Sequence, residues 1–127
     1  MRLVRALPIV LLAMTGCAKK PPVQITDAAN GQSVEVRRGQ SVELVLPSNS
    51  STGYRWDFVV APRALAAVGD PVYQSEAKLG RVGGGGTTTW HFTTSRAATD
   101  TLRLAYTRPW EANGPAAESF QCVVIVR

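Results

Sequence analysis

The side chains that usually carry out catalysis are few in this chain, and their spacing does not favour an enzyme. The single histidine, His91, stands between Trp90 and Phe92 in a run that alternates like a β-strand. It should therefore point away from the face that the two aromatic residues bury. A thiol–imidazole pair with Cys122 would require both side chains in one cleft, whereas Cys122 lies in an apolar run. We expect no catalytic residues and rank an enzyme below every other class of function.

The sequence also offers few residues suited to binding a metal, a cofactor or nucleic acid. One histidine and scattered carboxylates offer no ligand spacing for a metal, and Asp57, Asp70 and Asp100 form no local pair. The net charge is +5, and the basic residues cluster only as pairs, at positions 19–20 and 37–38. A solvated surface explains that balance without nucleic acid. We expect a monomer with no metal, no cofactor, no nucleic-acid partner and no small-molecule substrate.

Three loop segments are more informative than the titratable residues. The first spans residues 47–54 and consists of small polar residues, with a glycine that can adopt a positive φ. Its candidate contact residues are Asn49, Ser50, Ser51, Thr52, Gly53 and Tyr54. An ordinary surface turn would have the same composition, so this loop alone does not indicate a function.

Glycine dominates the second loop. Its candidate residues are Gly83, Gly84, Gly85, Gly86 and Thr87. A phosphate-binding loop would be followed by a helix and usually by a lysine, whereas a strand-like Thr-Trp-His-Phe run follows here. Phosphate binding is therefore excluded. Two alternatives remain: a mobile hairpin tip, or a contact loop whose backbone lies close against a partner because no side chain intervenes.

The third loop begins with Arg108, Pro109 and Trp110, directly after a strand that ends near Tyr106. Proline stiffens the turn. Arginine and tryptophan on a stiff loop are typical of the residues that dominate binding energy at interfaces. Trp110 could instead be buried as a lid on the core. Exposure of its side chain would favour a binding site, and burial would favour the lid.

Taken together, the three loops resemble those of the chagasin-type inhibitors of papain-family cysteine peptidases. Residues 48–54 with Trp56 are similar to the family's Asn-Pro-Thr-Thr-Gly-(aromatic)-x-Trp segment, and residues 82–87 to its Gly-rich loop. Residues 106–110 match its Tyr-x-Arg-Pro-Trp loop, and the order of the loops agrees. The resemblance covers about residues 34–126. Two positions depart: Ser50 replaces the proline and Ser51 the first threonine, which would leave the first loop less rigid.

The resemblance implies an immunoglobulin-like fold and reversible inhibition of a papain-like cysteine peptidase, with the peptidase as the protein's partner. It places the loop around Thr52 in the catalytic cleft, while the Gly-rich loop and residues 108–110 hold its two sides. The alternative is a lipid-anchored immunoglobulin-like adhesion or scaffold module that has no peptidase target.

Short strands must position these loops, because apolar and polar residues alternate through most of the chain. The pattern predicts an all-β, immunoglobulin-like β-sandwich of about seven or eight strands. The strand segments are 34–36, 42–46, 56–60, 87–94, 102–106 and 120–126, with 72–78 as a weaker candidate. Gly39 predicts a hairpin between the first two, and Trp56, Phe58 and Val60 should share a buried face. The alanine-rich residues 62–68 suggest one helical turn.

The N-terminal residues have the layout of a targeting segment. Residues 1–16 combine two arginines with a short apolar run and end before Gly16–Cys17, which resembles a lipoprotein cleavage site. We expect a lipoprotein signal peptide at 1–16, a lipidated tether at 17–24 that begins with acylated Cys17, and the inhibitor domain at 25–127. Ala18 is not the aspartate that often retains lipoproteins at the inner membrane, so we expect export to the periplasmic face of a bacterial outer membrane.

Two alternatives concern the cysteines. An ordinary signal peptide could be cut nearby, with Cys17 incidental. If Cys17 is acylated, Cys122 has no partner and should be a small buried hydrophobic residue; a Cys17–Cys122 disulfide is the other possibility.

Overall fold

The computed structural model describes residues 20–76, 85–111 and 114–127. These residues form strands and two short 3₁₀ turns, at Asp27–Ala29 and Ser50–Thr52. The strands are β1 (Val23–Thr26), β2 (Ser33–Val36), β3 (Val42–Ser48), β4 (Arg55–Val60), β5 (Leu65–Ala67), β6 (Val72–Ser75), β7 (Gly86–Thr94), β8 (Ala98–Thr107) and β9 (Glu118–Val126). The expected all-β class is confirmed, with nine strands in place of seven or eight. Among the described residues, no helix has the length and apolarity of a membrane span.

The strands form two sheets that pack as a sandwich. The first has the order β1–β3–β7–β5, and β6 also pairs with β7; the second has the order β2–β9–β8–β4. The β1–β3 and β2–β9 pairs are parallel, and the remaining pairs are antiparallel. Two sheets with this mixture of sequential and crossover connections form an immunoglobulin-like sandwich. Strand β1 includes Val23 and Gln24, the last two residues of the expected tether.

Period-two alternation accounts for the core between the sheets. Leu44 and Leu46 of β3 and Leu102 and Leu104 of β8 have no exposed surface. Each fully buried side chain of this size contributes roughly 1.5–3 kcal/mol to folding. Cys122 is a free thiol in the same core and is also fully buried, as its apolar setting predicted. Cys17 lies outside the described residues.

The predicted hairpin at Gly39 is wrong. β2 and β3 lie in different sheets, so the turn between them carries the chain across the sandwich and does not join two paired strands. Gly39 has φ 81°, and its N–H donates to the carbonyl of Thr94. The glycine is needed for the turn itself, because residues with a Cβ rarely adopt this φ.

Two further expectations were wrong for reasons of strand pairing. Residues 62–68 do not form a helical turn, because Leu65 is buried and Leu65–Ala67 pair with the end of β7. Pairing at the sheet edge outweighs the helix preference of alanine. Val60 does not share the buried face of Trp56, since the β4–β8 register shifts after Phe58 and leaves Val60 57% exposed.

Strand directions define two ends of the sandwich. At the loop end, β3 and β8 finish and β4, β7 and β9 begin, as the paired positions Ser48 with Gly86 and Arg55 with Thr107 show. All three candidate loops are connections at this end. The opposite end, here called the base, contains the start of β1, the β2–β3 and β7–β8 turns, and Arg127.

Candidate functional site

The first loop closes on itself through short polar side chains. Ser50–Thr52 form one 3₁₀ turn after Asn49. The Asn49 Oδ1 atom accepts hydrogen bonds from the Ser51 N–H (3.1 Å) and the Ser51 hydroxyl (2.6 Å). The Thr52 hydroxyl donates to the Asn49 carbonyl at 2.8 Å. Ser51 departs from the family pattern, yet it contributes two of these bonds, so the loop has little conformational freedom to lose on binding.

Gly53 ends this turn and lies directly against the third loop. Its backbone is left-handed, with φ 78° and ψ −3°. A Cβ at this position would overlap the indole ring of Trp110. Trp110 is nevertheless 68% exposed, so one part of the ring covers Gly53 while most of the ring faces solvent. This exposure favours a binding surface over a buried lid.

A stack of side chains supports both loops from the core outward. The ring centroids of Trp56 and Tyr106 are 4.9 Å apart, and those of Tyr106 and Tyr54 are 5.2 Å apart. The Arg108 guanidinium lies 4.2 Å from the centroid of the Tyr54 ring, a cation–π contact. The Tyr106 hydroxyl accepts a hydrogen bond from the Asn49 N–H at 2.9 Å. Tyr106 therefore holds the start of the first loop from beneath.

Arg108 links the third loop to the first. Its Nε atom donates to the Thr52 carbonyl at 3.2 Å, and Nη1 lies 3.4 Å from a Glu111 carboxylate oxygen. With the Tyr54 stack, the guanidinium contacts three groups of its own chain. The role of Arg108 as a peptidase contact stays a prediction. The structure shows that Arg108 joins the two loops into one unit.

Only the two ends of the second loop are described, because Gly83 and Gly84 lie outside the described residues. The Glu76 N–H donates to the Gly85 carbonyl at 2.9 Å, and this hydrogen bond joins the two ends of the loop. Gly86 opens β7, and a Cβ there would clash with the Tyr73 ring and the Gln74 carbonyl. Thr87 is also within β7. Gly86 thus has a packing reason for being glycine.

The residues considered for catalysis do not come together. The exposed His91 lies on β7 with its Nδ1 atom 3.6 Å from a Glu43 carboxylate oxygen, whereas Cys122 lies in the core on β9. Burial raises the pKa of the Cys122 thiol, which makes it a poor nucleophile. The described residues include no group of three or more His, Cys, Asp or Glu side chains placed to bind a metal.

Two supporting residues were absent from the predicted site, although both stand in the motifs that carried the resemblance. Tyr106 is the first residue of the Tyr-x-Arg-Pro-Trp match, and Trp56 ends the first motif. The Trp56 Nε1 atom donates to the Pro47 carbonyl at 2.9 Å. Their bulky aromatic side chains, at motif positions beside a loop, could have indicated this supporting role.

Comparisons with known proteins find peptidase inhibitors among the similar proteins. The family described as "Chagasin family peptidase inhibitor I42" matches residues 35–124. Chagasin from Trypanosoma cruzi is 33% identical over 109 residues, covering 82% of this chain and 96% of chagasin.

Solved structures show the same fold. The crystal structure of the cysteine protease inhibitor EhICP2 from Entamoeba histolytica superimposes with a TM-score of 0.71 at 18% identity, covering 84% of this chain and 96% of that one. PbICP-C, determined in complex with falcipain-2, has a TM-score of 0.50 at 13% identity and covers 84% of this chain and 89% of that one.

Proposed function

This chain belongs to the chagasin family of peptidase inhibitors, and from that membership we propose that it binds a papain-like cysteine peptidase reversibly and blocks the active-site cleft with its three loops. Members of this family are inhibitors and not enzymes. The observation that carries the finer proposal is the unit formed by the first and third loops. In that unit the exposed Trp110 packs on Gly53, next to a small polar turn.

In this proposal, Thr52 and Gly53 of the first loop lie nearest the peptidase's catalytic cysteine. Thr52 is exposed, and the missing side chain of Gly53 leaves room for the Trp110 ring beside it. The Thr52 carbonyl accepts a hydrogen bond from Arg108, so the carbonyl before Gly53 is turned back toward the inhibitor. A carbonyl held in this way is not presented to the thiolate. The first loop therefore occupies the cleft without being cleaved.

The other two loops hold the rim of the cleft. Trp110 supplies a large exposed indole, the kind of side chain that dominates interface energies. Residues 83–87 supply backbone for the opposite side. The stack of Trp56, Tyr106 and Tyr54 supports the first loop before binding. The first loop therefore loses less conformational entropy when the proteins associate.

Titration against papain with a small chromogenic substrate tests this proposal. Thr52→Arg places a bulky charged side chain at the tip of the first loop, and it should weaken inhibition without abolishing it, because two loops still contact the rim. Thr93→Arg is the matched control, since Thr93 is exposed on β7 away from the loop end. Equal inhibition by Thr52→Arg and the original protein would show that the first loop stays outside the cleft. No inhibition by the original protein would favour the adhesion or scaffold alternative.

We also infer that the protein is a bacterial lipoprotein, anchored through acylated Cys17 after removal of residues 1–16 and located at the periplasmic face of the outer membrane. The Gly16–Cys17 pair supports the cleavage and lipidation. The position of β1 supports an orientation in which the base faces the membrane, because its first residue, Val23, pairs with Val42 at the base. A lipid at Cys17 would attach the end of the domain that carries no inhibitory loop.

A further inference from the structure

Basic side chains are concentrated at the base of the sandwich. Each lies in a turn or terminal segment at this end, and all are exposed: Lys20, Arg37, Arg38, Arg63, Arg96 and Arg127. Arg127 pairs with Glu35 at 3.1 Å. In the described part of the chain, the other five form no ion pair within 4 Å.

The acidic side chains near this end are fewer than the basic ones. Glu35 is the partner of Arg127. The Asp100 carboxylate accepts hydrogen bonds from the backbone N–H groups of Arg63 (2.7 Å) and Ala64 (2.8 Å). Glu43 faces His91 on the outer surface of the first sheet. The base therefore presents a net positive surface.

The chain also enters the domain at this surface. The Gln40 Nε2 atom donates to the Pro21 carbonyl at 3.0 Å, and the Val23 N–H donates to the Ser41 carbonyl at 2.9 Å. These bonds hold residues 21–23 against the β2–β3 turn that carries Arg37 and Arg38. Three residue steps separate Lys20 from Cys17, a reach of at most about 10 Å. That reach is about one Debye length at 0.1 M salt.

We propose that the base is a membrane-contacting surface that binds anionic phospholipid headgroups. The distance argument rests on the proposed lipid anchor, whereas the charge distribution does not, and neither depends on peptidase inhibition. Each arginine near an anionic bilayer strengthens binding about fivefold, and at the anchored end of the domain these charges would hold the base against the bilayer. Since β3 spans about 20 Å from base to loop end, the three loops would face away from the membrane.

Vesicle binding of the full chain carrying Cys17→Ser tests the surface without an acyl chain. The probes are vesicles of phosphatidylcholine alone and vesicles in which about a third of the lipid is phosphatidylglycerol, at low ionic strength where charge interactions are least screened. The readout is the ratio of the two partition coefficients. Arg2 and Arg5 also favour the anionic vesicles, so the deciding comparison is between variants that all retain residues 1–16. We expect a strong preference for the anionic vesicles that is lost at about 0.5 M salt.

Variants with equal net charge separate the base from overall charge. Arg38→Gln should lower the ratio about fivefold, and Arg37→Gln/Arg38→Gln about 25-fold. Arg103→Gln is the control for Arg38→Gln, because it removes one charge from an exposed position on β8 that forms no ion pair in the described part of the chain, and it should lower the ratio by far less. Equal losses in Arg38→Gln and Arg103→Gln, or no preference for anionic vesicles, would overturn the proposal. Tighter binding of the base to a short DNA duplex than to the vesicles would also overturn it.

Papain inhibition by the Arg37→Gln/Arg38→Gln variant keeps the two proposals distinct. The base lies at the opposite end from the loops, so inhibition in solution should equal that of the parent chain. If neither chain inhibits papain while the vesicle results stand, the inhibitor mechanism fails and the membrane surface remains. If both inhibit while the vesicle preference is absent, the membrane surface alone is wrong.

Discussion

Replacing Gly53 with alanine should damage inhibition far more than stability. The alanine meets two costs in the structure. A left-handed backbone at φ 78° costs an L-residue about 1–2 kcal/mol. The new Cβ also overlaps the Trp110 ring, so the indole must move. Because Trp110 is 68% exposed, it can swing into solvent with little further loss of folding free energy.

Gly39 offers a matched control for the backbone cost alone. It has φ 81°, and a Cβ there meets nothing within 4 Å. Both Gly53→Ala and Gly39→Ala should therefore lower stability by about 1–2 kcal/mol, which corresponds to about 4–8 °C in Tm for each kcal/mol. Only Gly53→Ala displaces Trp110. If the indole contributes at least about 2 kcal/mol to binding, its displacement weakens inhibition about 30-fold.

Thermal unfolding and papain titration of both variants measure the two effects separately. The double variant Gly53→Ala/Trp110→Ala adds a further check, because removal of the indole removes the clash. It should inhibit about as well as Trp110→Ala alone, a non-additive result that reports direct coupling. Equal inhibition by Gly53→Ala and Gly39→Ala would refute the reasoning, since the position of Trp110 would then not matter for binding.

Four further changes test other parts of the molecule. Trp110→Ala should weaken papain binding by about 2 kcal/mol or more with little change in Tm, and a large fall in Tm with unchanged inhibition would instead indicate a structural role. Tyr106→Phe keeps the ring stack but removes the acceptor for the Asn49 N–H, so stability should fall by about 1 kcal/mol; amide exchange at Asn49 that is no faster would contradict this role. His91→Ala should leave inhibition nearly intact, because the side chain lies on the outer face of β7, and complete loss in a folded variant would show that His91 has a role in binding. Cys17→Ser should release the protein from membranes in cell fractionation, whereas unchanged fractionation with no lipid label on the original protein would exclude the anchor.

Local alternation determined which residues of a strand face the core. Trp90 and Phe92 are buried while His91 between them is exposed, and Leu102 and Leu104 are fully buried. Successive side chains on a strand point to opposite faces, so this information is present in a few neighbouring residues. The three motifs, in their order, likewise identified the family without any knowledge of the pairing.

Strand partners depend on contacts that alternation does not encode. The turn at Gly39 and the short strand Leu65–Ala67 were mispredicted, because a strand's sheet is chosen by residues far away in the chain. The parallel pairing of β2 with β9 joins segments separated by most of the domain. No pattern within either segment specifies the other.

Side-chain directions in the loops were also decided by tertiary structure. Arg108 contacts the Thr52 carbonyl and the Tyr54 ring, and Trp110 covers Gly53, although more than fifty positions separate each pair along the chain. The sequence alone determined that these residues belong to motifs of one family. The antiparallel pairing of β4 with β8 sets Arg55 opposite Thr107 and so brings the first and third loops together. Only this tertiary pairing makes Arg108 a link between them while Trp110 stays exposed.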